Sequence, residues 1–477
     1  MENGKREKQL VKNTAIVAIG QICTKFISFF LLPLYTAVLS TEEYGIVDVL
    51  NTYIALLIPL VFLQMDQAVF RNLIDVRNDD KAKSRIMSTA LIIVTIQAII
   101  FIMFYIFIGQ FINNQYKYFL ATNVVATMYA SMFLQISRGV GDNITYSIGS
   151  LLSGAGTIIL NVIFIVIFKF AAYGMLMATL ISNIICIVYV FIKKKIYTSL
   201  RIKMFSKMEL KELWKYAIPL VPNQLSWWIV NASDRTIILF FCGVALNGVY
   251  SVANKFSSII ITIFNIFNLT WTESAAVHFK DKDNSKYFSN IINSVLKLFV
   301  SVCLSIIAFM PFVFKFLVTG AGYSSAFYQI PILIISTIFN MSVALFGSIY
   351  VALKKSKEIA KTSIYAAIIN IVVNLVLIKH IGLYAASIST AVAYLIMTIY
   401  RYIDVQKYIK IKLERSFVIL TVLVSSIILI IYYLKNIYLY LLGAILSIIF
   451  LIIFNKKTFK VILHVVKQKV LSKKVVC

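Results

Sequence analysis

The chain has little of what soluble chemistry usually needs. Charged side chains make up only 14% of its 477 residues, against roughly 25% in a typical soluble domain. Carboxylates are scarcest, with 19 Asp and Glu against 46 Lys and Arg. The three histidines, His278, His380 and His464, are too scattered in sequence for a metal cluster, so no metal is expected. The five cysteines, Cys23, Cys186, Cys242, Cys303 and Cys477, form no CxxC pair, and four lie in apolar runs. They read as small buried hydrophobes. Cys477 is last in the chain, which does not fit a prenylation box. There is no Gly-rich phosphate loop and no catalytic constellation, so neither ATP hydrolysis, an enzyme activity nor a cofactor is expected.

What the chain does have is apolar surface and positive charge. It is 60% hydrophobic, with a formal net charge of +27. A soluble fold could not hide that much apolar surface. A nucleic-acid-binding protein would carry its charge in a polar domain, and none exists here. The expectation is an all-α polytopic membrane protein of about fourteen transmembrane helices. Apolar stretches long enough to span lie at 13–38, 46–70, 86–109, 118–137, 147–168, 172–192, 217–240, 248–272, 288–318, 327–352, 362–378, 383–400, 416–434 and 437–454. The connections alternate sharply in charge: those on one side hold 37 of the 46 basic residues, and those on the other hold Lys117, Lys169, Lys379 and Lys435. The excess of Lys and Arg marks the cytoplasmic side, so both termini are expected there. The N-terminal run lacks a small-residue cleavage pattern and reads as a retained first span.

The most basic connection divides the first twelve spans into six and six. The organisation expected is an N-terminal six-helix lobe (1–192), a basic cytoplasmic linker (193–215), a second six-helix lobe (216–403), two extra transmembrane helices (404–455) and a basic cytoplasmic tail (456–477). Setting Gly45 on Gly248 also sets Asn51 on Asn254. An even number of spans per half makes the lobes parallel repeats, which bind substrate between them and rock. The tail, 456–474, alternates Lys with Val, Ile and Leu, as an amphipathic helix on an anionic surface would.

A charge in hydrocarbon costs roughly 2.5–3.5 kcal/mol on insertion scales, so charges within spans face a partner or water. In span seven Asn223, Gln224, Trp227, Trp228, Asn231, Asp234 and Arg235 fall on one helical face. In span eight Ser251, Asn254, Lys255 and Ser258 do the same. Two such stripes suggest a hydrated cavity wall, although Ser, Thr and Asn also join helices in lipid. Arg235 and Lys255 each lie roughly 10 Å inside the outer end of their helix, a cationic layer for which Asp234 is the expected counter-ion. Lys25 lies near the middle of span one. Arg71 ends span two, which carries Asp48, Asn51 and Thr52 at its other end. Arg138 either joins the cavity or snorkels to the interface, and Lys297 and Lys315 read as snorkelling. Asp66, Asp234 and Glu273 are the carboxylates at membrane depth that could couple an ion or form ion pairs.

The run VKNTAIVAIGQICTKFISFFLLPLYTAVLSTEEYGIVDVLNTY, followed by QMDQAVFR, resembles Wzx-type oligosaccharide flippases. So does ELWKYAIPLVPNQLSWWIVNASDRTIILFFCGVALNGVYSVANKFSSII, followed by WTES. These flippases share a superfamily with MATE exporters and lipid II flippases. The resemblance implies a bacterial cytoplasmic membrane protein that translocates polyprenyl-pyrophosphate-linked oligosaccharide repeat units by alternating access, for capsule or O-antigen type polysaccharide. It implies a cationic cavity lined by helices one, two, seven and eight, and coupling to an H⁺ or Na⁺ gradient or to the membrane potential. A polysaccharide polymerase, other assembly proteins and membrane lipids are the implied partners, and nucleic acid is not. Trp227 and Trp228 would stack on sugar faces or anchor at the interface. The alternatives are a lipid II flippase, a MATE-like ion-coupled exporter and a multi-span polymerase. Short outer loops weigh against the last.

Overall fold

The computed structural model describes residues 26–474 apart from Ser28, Ile112, Asn113, Leu200 and Lys354; the side chains of Thr198, Ser199, Ile202, Val230, Asn231, Ser356 and residues 457–474 are also left undescribed. Most of the expected first span, Lys25 included, therefore lies outside the described residues. The described chain is helical, and no strand occurs among the described residues. Twelve of its helices are long and apolar enough to cross a membrane. A thirteenth, Leu220–Cys242, has the length of a span but is not among the twelve. Its polar stripe, which includes Asp234 and Arg235, dilutes its apolarity.

The chain forms two compact units, Met1–Ser251 and Val252–Cys477. The first contains α1 (Leu32–Val38), α2 (Thr41–Phe62), α3 (Met65–Asp75), α4 (Asp80–Gly109), α5 (Lys117–Gly139), α6 (Asn143–Val162), α7 (Ala171–Lys193), α8 (Lys207–Ala217) and α9 (Leu220–Cys242). α10 (Val244–His278) starts in this unit and continues into the second. The second unit continues with α11 (Asn284–Leu317), α12 (Ala326–Ala352), α13 (Ser356–Ile381), α14 (Tyr384–Val405), α15 (Arg415–Leu434) and α16 (Ile437–Lys474).

In the first unit the core is built on α3. Met65, Val69 and Leu73 are fully buried, packed with Met128, Met132 and Ile136 of α5 and with Val94 of α4. The basic stretch 193–215 folds onto this core. Ser206 caps α8 by accepting from the Glu209 amide, and α8 buries Leu213 and Ala217. The backbone amides of Arg201 and Ser206 donate to Ser88 and Thr89 of α4. Its lysines stay in water while its apolar face joins the core, the ordinary partition of an amphipathic helix.

In the second unit α12 packs against α14, α14 against α13, and α11 against α16. Arg401 belongs to the basic 401–415 stretch in sequence, but it is only 3% exposed, inside α14. Its Nε and Nη2 donate to Thr362 Oγ1 and its Nη1 to the Val343 carbonyl. Its positive charge therefore contributes nothing to the basic membrane surface. Gly347 leaves room for it: a Cβ there would lie 2.6 Å from Arg401 Nη1. Because the guanidinium is anchored on two sides it cannot give way. Gly347→Ala is expected to lower stability by about 1–3 kcal/mol, read as earlier thermal aggregation of the detergent-solubilised chain. Lys297, expected to snorkel, donates instead to Glu414 at 2.6 Å.

Candidate functional site

The Leu-Ser-Thr-Glu-Glu-Tyr-Gly run of residues 39–45 starts a helix. Ser40 Oγ accepts from the Glu43 amide at 3.2 Å, and Glu43 Oε2 accepts from the Ser40 amide at 2.8 Å. This reciprocal capping box satisfies two orphan donors and fixes where α2 begins. Helical spacing then places Thr41, Gly45, Asp48 and Thr52 along one face. The same spacing places Val244, Asn247, Gly248 and Ser251 along one face of α10.

The two faces meet at their glycines. A Cβ on Gly45 would overlap the Val244 carbonyl oxygen, and a Cβ on Gly248 would overlap the Thr41 carbonyl oxygen. The contact is reciprocal: each glycine meets the residue four before the other. The separation that sets Gly45 on Gly248 also sets Asp48 on Ser251, and these two side chains are hydrogen-bonded at 2.7 Å, 203 residues apart. The contact is thus self-matching: the same spacing on each helix meets the other's backbone.

Asp48 is the hub of the crossing. Its Oδ2 accepts from Arg235 Nε of α9 at 2.8 Å and from Asn247 Nδ2 at 3.3 Å, and its Oδ1 accepts from Ser251 Oγ. The ion pair is largely buried, at 15% and 18% side-chain exposure. Trp228 Nε1 donates to the Thr52 carbonyl at 2.9 Å, tying α9 to α2 a second time. Arg235 thus bonds to Asp48, a carboxylate on another helix, in addition to the charge interaction with Asp234 that its place in the sequence suggested. Neighbouring residues on a helix point about 100° apart, so Asp234 turns to a different face. There it is 3% exposed and accepts from Tyr250 OH. The paired roles of Asp48, Asn247 and Ser251 were missed in the sequence. The 203-residue repeat offset carried the signal, because it sets Asp48 on Ser251.

A second polar site lies where span two breaks. Leu63 and Gln64 both have left-handed backbone, with φ of 51° and 57°. Pro59, one turn upstream, already removes a helical donor. The break separates α2 from α3 and places Asp66 in the first turn of α3, where the helix dipole favours a carboxylate. Asp66 is 7% exposed and accepts from Ser131 Oγ at 2.7 Å and Gln67 Nε2 at 3.0 Å. Thr127, one turn before Ser131, accepts from Asn183 of α7. Broken helices whose ends carry polar groups are where membrane transporters build their sites.

The other expected site residues are dispersed. Arg71 sits on the surface of α3 and pairs with Asp75 at 2.6 Å. Arg138 lies over the Phe70 ring, 4.4 Å from its centroid. Asn223, Gln224 and Trp227 are exposed on α9, and Glu273 is exposed on α10. Asn254 and Lys255 are half-buried on α10 within the second unit. The side chain of Asn231 lies outside the described residues.

No curated protein matches the chain in sequence. Solved structures match it in fold. An inward-facing multidrug resistance MATE family transporter superposes with a TM-score of 0.66 at 14% identity, covering 82% of this chain and 98% of its own. The lipid II flippase MurJ, in an inward closed conformation, gives 0.66 at 16% identity, covering 94% of this chain and all of its own. A transporter of the same superfamily from Pyrococcus furiosus gives 0.56 at 15% identity, covering 83% and 96%. At these identities the likeness is one of fold. In sequence, the family described as polysaccharide biosynthesis protein matches residues 10–272, more than half of the chain. The chain is a multi-pass membrane protein that belongs to the polysaccharide biosynthesis protein family.

Proposed function

We propose that the chain is a flippase that carries polyprenyl-pyrophosphate-linked oligosaccharide repeat units across the bacterial cytoplasmic membrane, both termini cytoplasmic, for a surface polysaccharide. The observation that supports this reading is Arg235 paired with Asp48, whose carboxylate also accepts from Asn247 and Ser251, among the membrane helices. A guanidinium does not lose its charge, and its planar fork matches phosphate as well as carboxylate. A pyrophosphate could take Asp48's place on Arg235, while Ser251 and Asn247 keep donating to the released carboxylate. The ion pair would thus be an occupied resting state of a phosphate clamp. Trp227, Asn223 and Gln224 would meet sugar hydroxyls and faces. Asp66, in the broken helix, is the carboxylate best placed to exchange H⁺ or Na⁺ with a driving gradient.

Two observations favour a lipid-linked substrate over a drug. The charges at the Asp48 crossing include a buried cation ready to receive an anion. The lipid II flippase fold also accounts for 94% of the chain, against 82% for the MATE transporter.

The test is reconstitution. Liposomes carrying a fluorescent polyprenyl-pyrophosphate oligosaccharide inside would be treated with an external glycosidase. With the wild-type chain the inner-leaflet pool should become cleavable within minutes. Protection equal to that of protein-free liposomes would reject the reading, and drug efflux from the same liposomes would favour the exporter instead. In cells, loss of the chain should leave repeat units unpolymerised on the inner leaflet; accumulation on the outer leaflet would point to a polymerase.

A further inference from the structure

We infer that the second unit carries a separate binding site for the phosphate group of a membrane lipid, in the cavity framed by Lys315 and Lys435. The cavity holds about 820 Å³ and lies where the C-terminal end of α11, the start of α12 and the α15–α16 turn meet. All three of these chain segments are at the ends opposite the basic connections. That end of the molecule is poor in cations, so the pair of lysines owes nothing to the rule that gathers positive charge on the other face. No Asp or Glu lines the cavity, and among the described residues neither lysine forms an ion pair. The site is independent of the Asp48 crossing and of the flippase reading, since none of its residues takes part in either.

The cavity wall is built rather than incidental. Phe327 and Tyr432 stack with centroids 4.3 Å apart, and Tyr328 stacks with Tyr433 at 6.3 Å. The hydroxyls of Tyr432 and Tyr433 donate to the carbonyls of Phe327 and Tyr328, each at 2.8 Å. These paired contacts fix α15 against α12. Lys435 follows directly, with a left-handed backbone at φ 55°. Glycine or asparagine adopts that conformation more cheaply, yet a lysine stands there, its Nζ 4.8 Å from the Tyr328 ring centroid. A hydrogen bond with Tyr328 holds its ammonium above the usual lysine range, so it stays charged at all physiological pH. Thr319, Ser324 and Tyr440 complete a lining of hydroxyls around the two cations.

This is the chemistry of a phosphate ester: two charges, hydroxyl donors and an aromatic wall for the attached group. The neighbouring surface places that phosphate on a lipid. Phe316, next to Lys315, is 76% exposed, and Tyr438, three residues after Lys435, is 79% exposed. Apolar rings left exposed beside an anion site at the end of membrane helices suit an acyl or prenyl chain. Both a glycerophospholipid and a polyprenyl phosphate offer this chemistry.

The full-length chain, purified in a neutral detergent, can be titrated with phosphatidylglycerol, undecaprenyl phosphate and phosphatidylcholine and read by native mass spectrometry. The wild type should bind at least one of the two anionic lipids more tightly than phosphatidylcholine. Each single variant, Lys315→Gln and Lys435→Asn, should lose about tenfold in that affinity, and the double variant about a hundredfold. Asparagine keeps the left-handed backbone of residue 435 affordable, and Lys→Arg at either position should restore binding. Competition assigns the source. Displacement of undecaprenyl phosphate by equimolar phosphatidylglycerol marks a bulk-lipid site, whereas retention against excess phosphatidylglycerol marks a site for the carrier. Equal binding of all three lipids by the wild type, or unchanged affinity in a monodisperse double variant, would overturn the inference.

Discussion

A chain carrying Gly45→Val is expected to lose its fold at the α2–α10 crossing and, on the flippase reading, nearly all export of surface polysaccharide, and Gly248→Val to do the same. No side chain larger than hydrogen fits either position, because each Cβ would enter the carbonyl oxygen of the opposing helix. Backbone atoms of a helix cannot turn aside as the end of a flexible side chain can. Overpacking in a closed core typically costs about 1–3 kcal/mol. Here the overlap is with backbone, and separating α2 from α10 also strains the bonds from Asn247 and Ser251 to Asp48. The loss is therefore expected at or beyond the upper end of that range. Gly109→Ala serves as the control, since its Cβ would make only ordinary contacts of 3.8 and 3.9 Å with Tyr105. Thermal aggregation of the solubilised variants and surface polymer in complemented cells are the two measurements. Wild-type stability in Gly45→Val would show that the crossing is not close-packed in the membrane.

The second large effect is expected at the Asp48–Arg235 pair. Arg235→Gln leaves the buried Asp48 carboxylate without its cation, and Asp48→Asn leaves the buried guanidinium without its hydrogen-bonded carboxylate. Removing one partner of a buried pair costs about 3–5 kcal/mol, so each single variant should be clearly destabilised. The double variant, Asp48→Asn with Arg235→Gln, should recover much of that loss, because amide and amide can still hydrogen-bond across the crossing. A double-mutant cycle on thermal stability measures the coupling. Transport should follow a different pattern. If Arg235 is the phosphate clamp, the stable double variant stays at least tenfold below wild type in flipping, since the cation is gone. Recovery of flipping along with stability would make the pair a purely structural strut. Wild-type flipping with Arg235→Gln would remove the clamp from the mechanism altogether.

The polar stripe of α9 illustrates what periodicity can and cannot say. Spacing alone put Trp228, Asp234 and Arg235 on one broad face, and the structure keeps all three in polar contact. Spacing could not choose between two carboxylates for Arg235. Asp234, the nearer in sequence, acts on Arg235 through its charge, while the guanidinium donates to Asp48 on another helix. The same limit applies to Arg401, which sequence grouped with the basic connections. Its burial depends on Thr362 and the Val343 carbonyl, on two other helices. Span two reads as one continuous apolar stretch, and its break at Leu63–Gln64 has no signature beyond Pro59, because neither residue favours left-handed backbone. Lys315 and Lys435 are 120 positions apart in sequence, and only the packing of α11, α12 and the α15–α16 turn brings them to one cavity.

By itself the sequence determined that this is an all-helical multi-pass membrane protein and which apolar stretches form most of its long helices. Those properties follow from apolar length and helical period, which are local and act through the solvent. The tertiary structure decided which charges meet: Asp48 with Arg235, Ser251 with Asp48, Arg401 with the α12 and α13 backbones and hydroxyls, and the two lysines with one cavity. Charge pairing inside a membrane depends on the direction each side chain leaves its helix and on which helix stands opposite. Neither is set until the helices have packed.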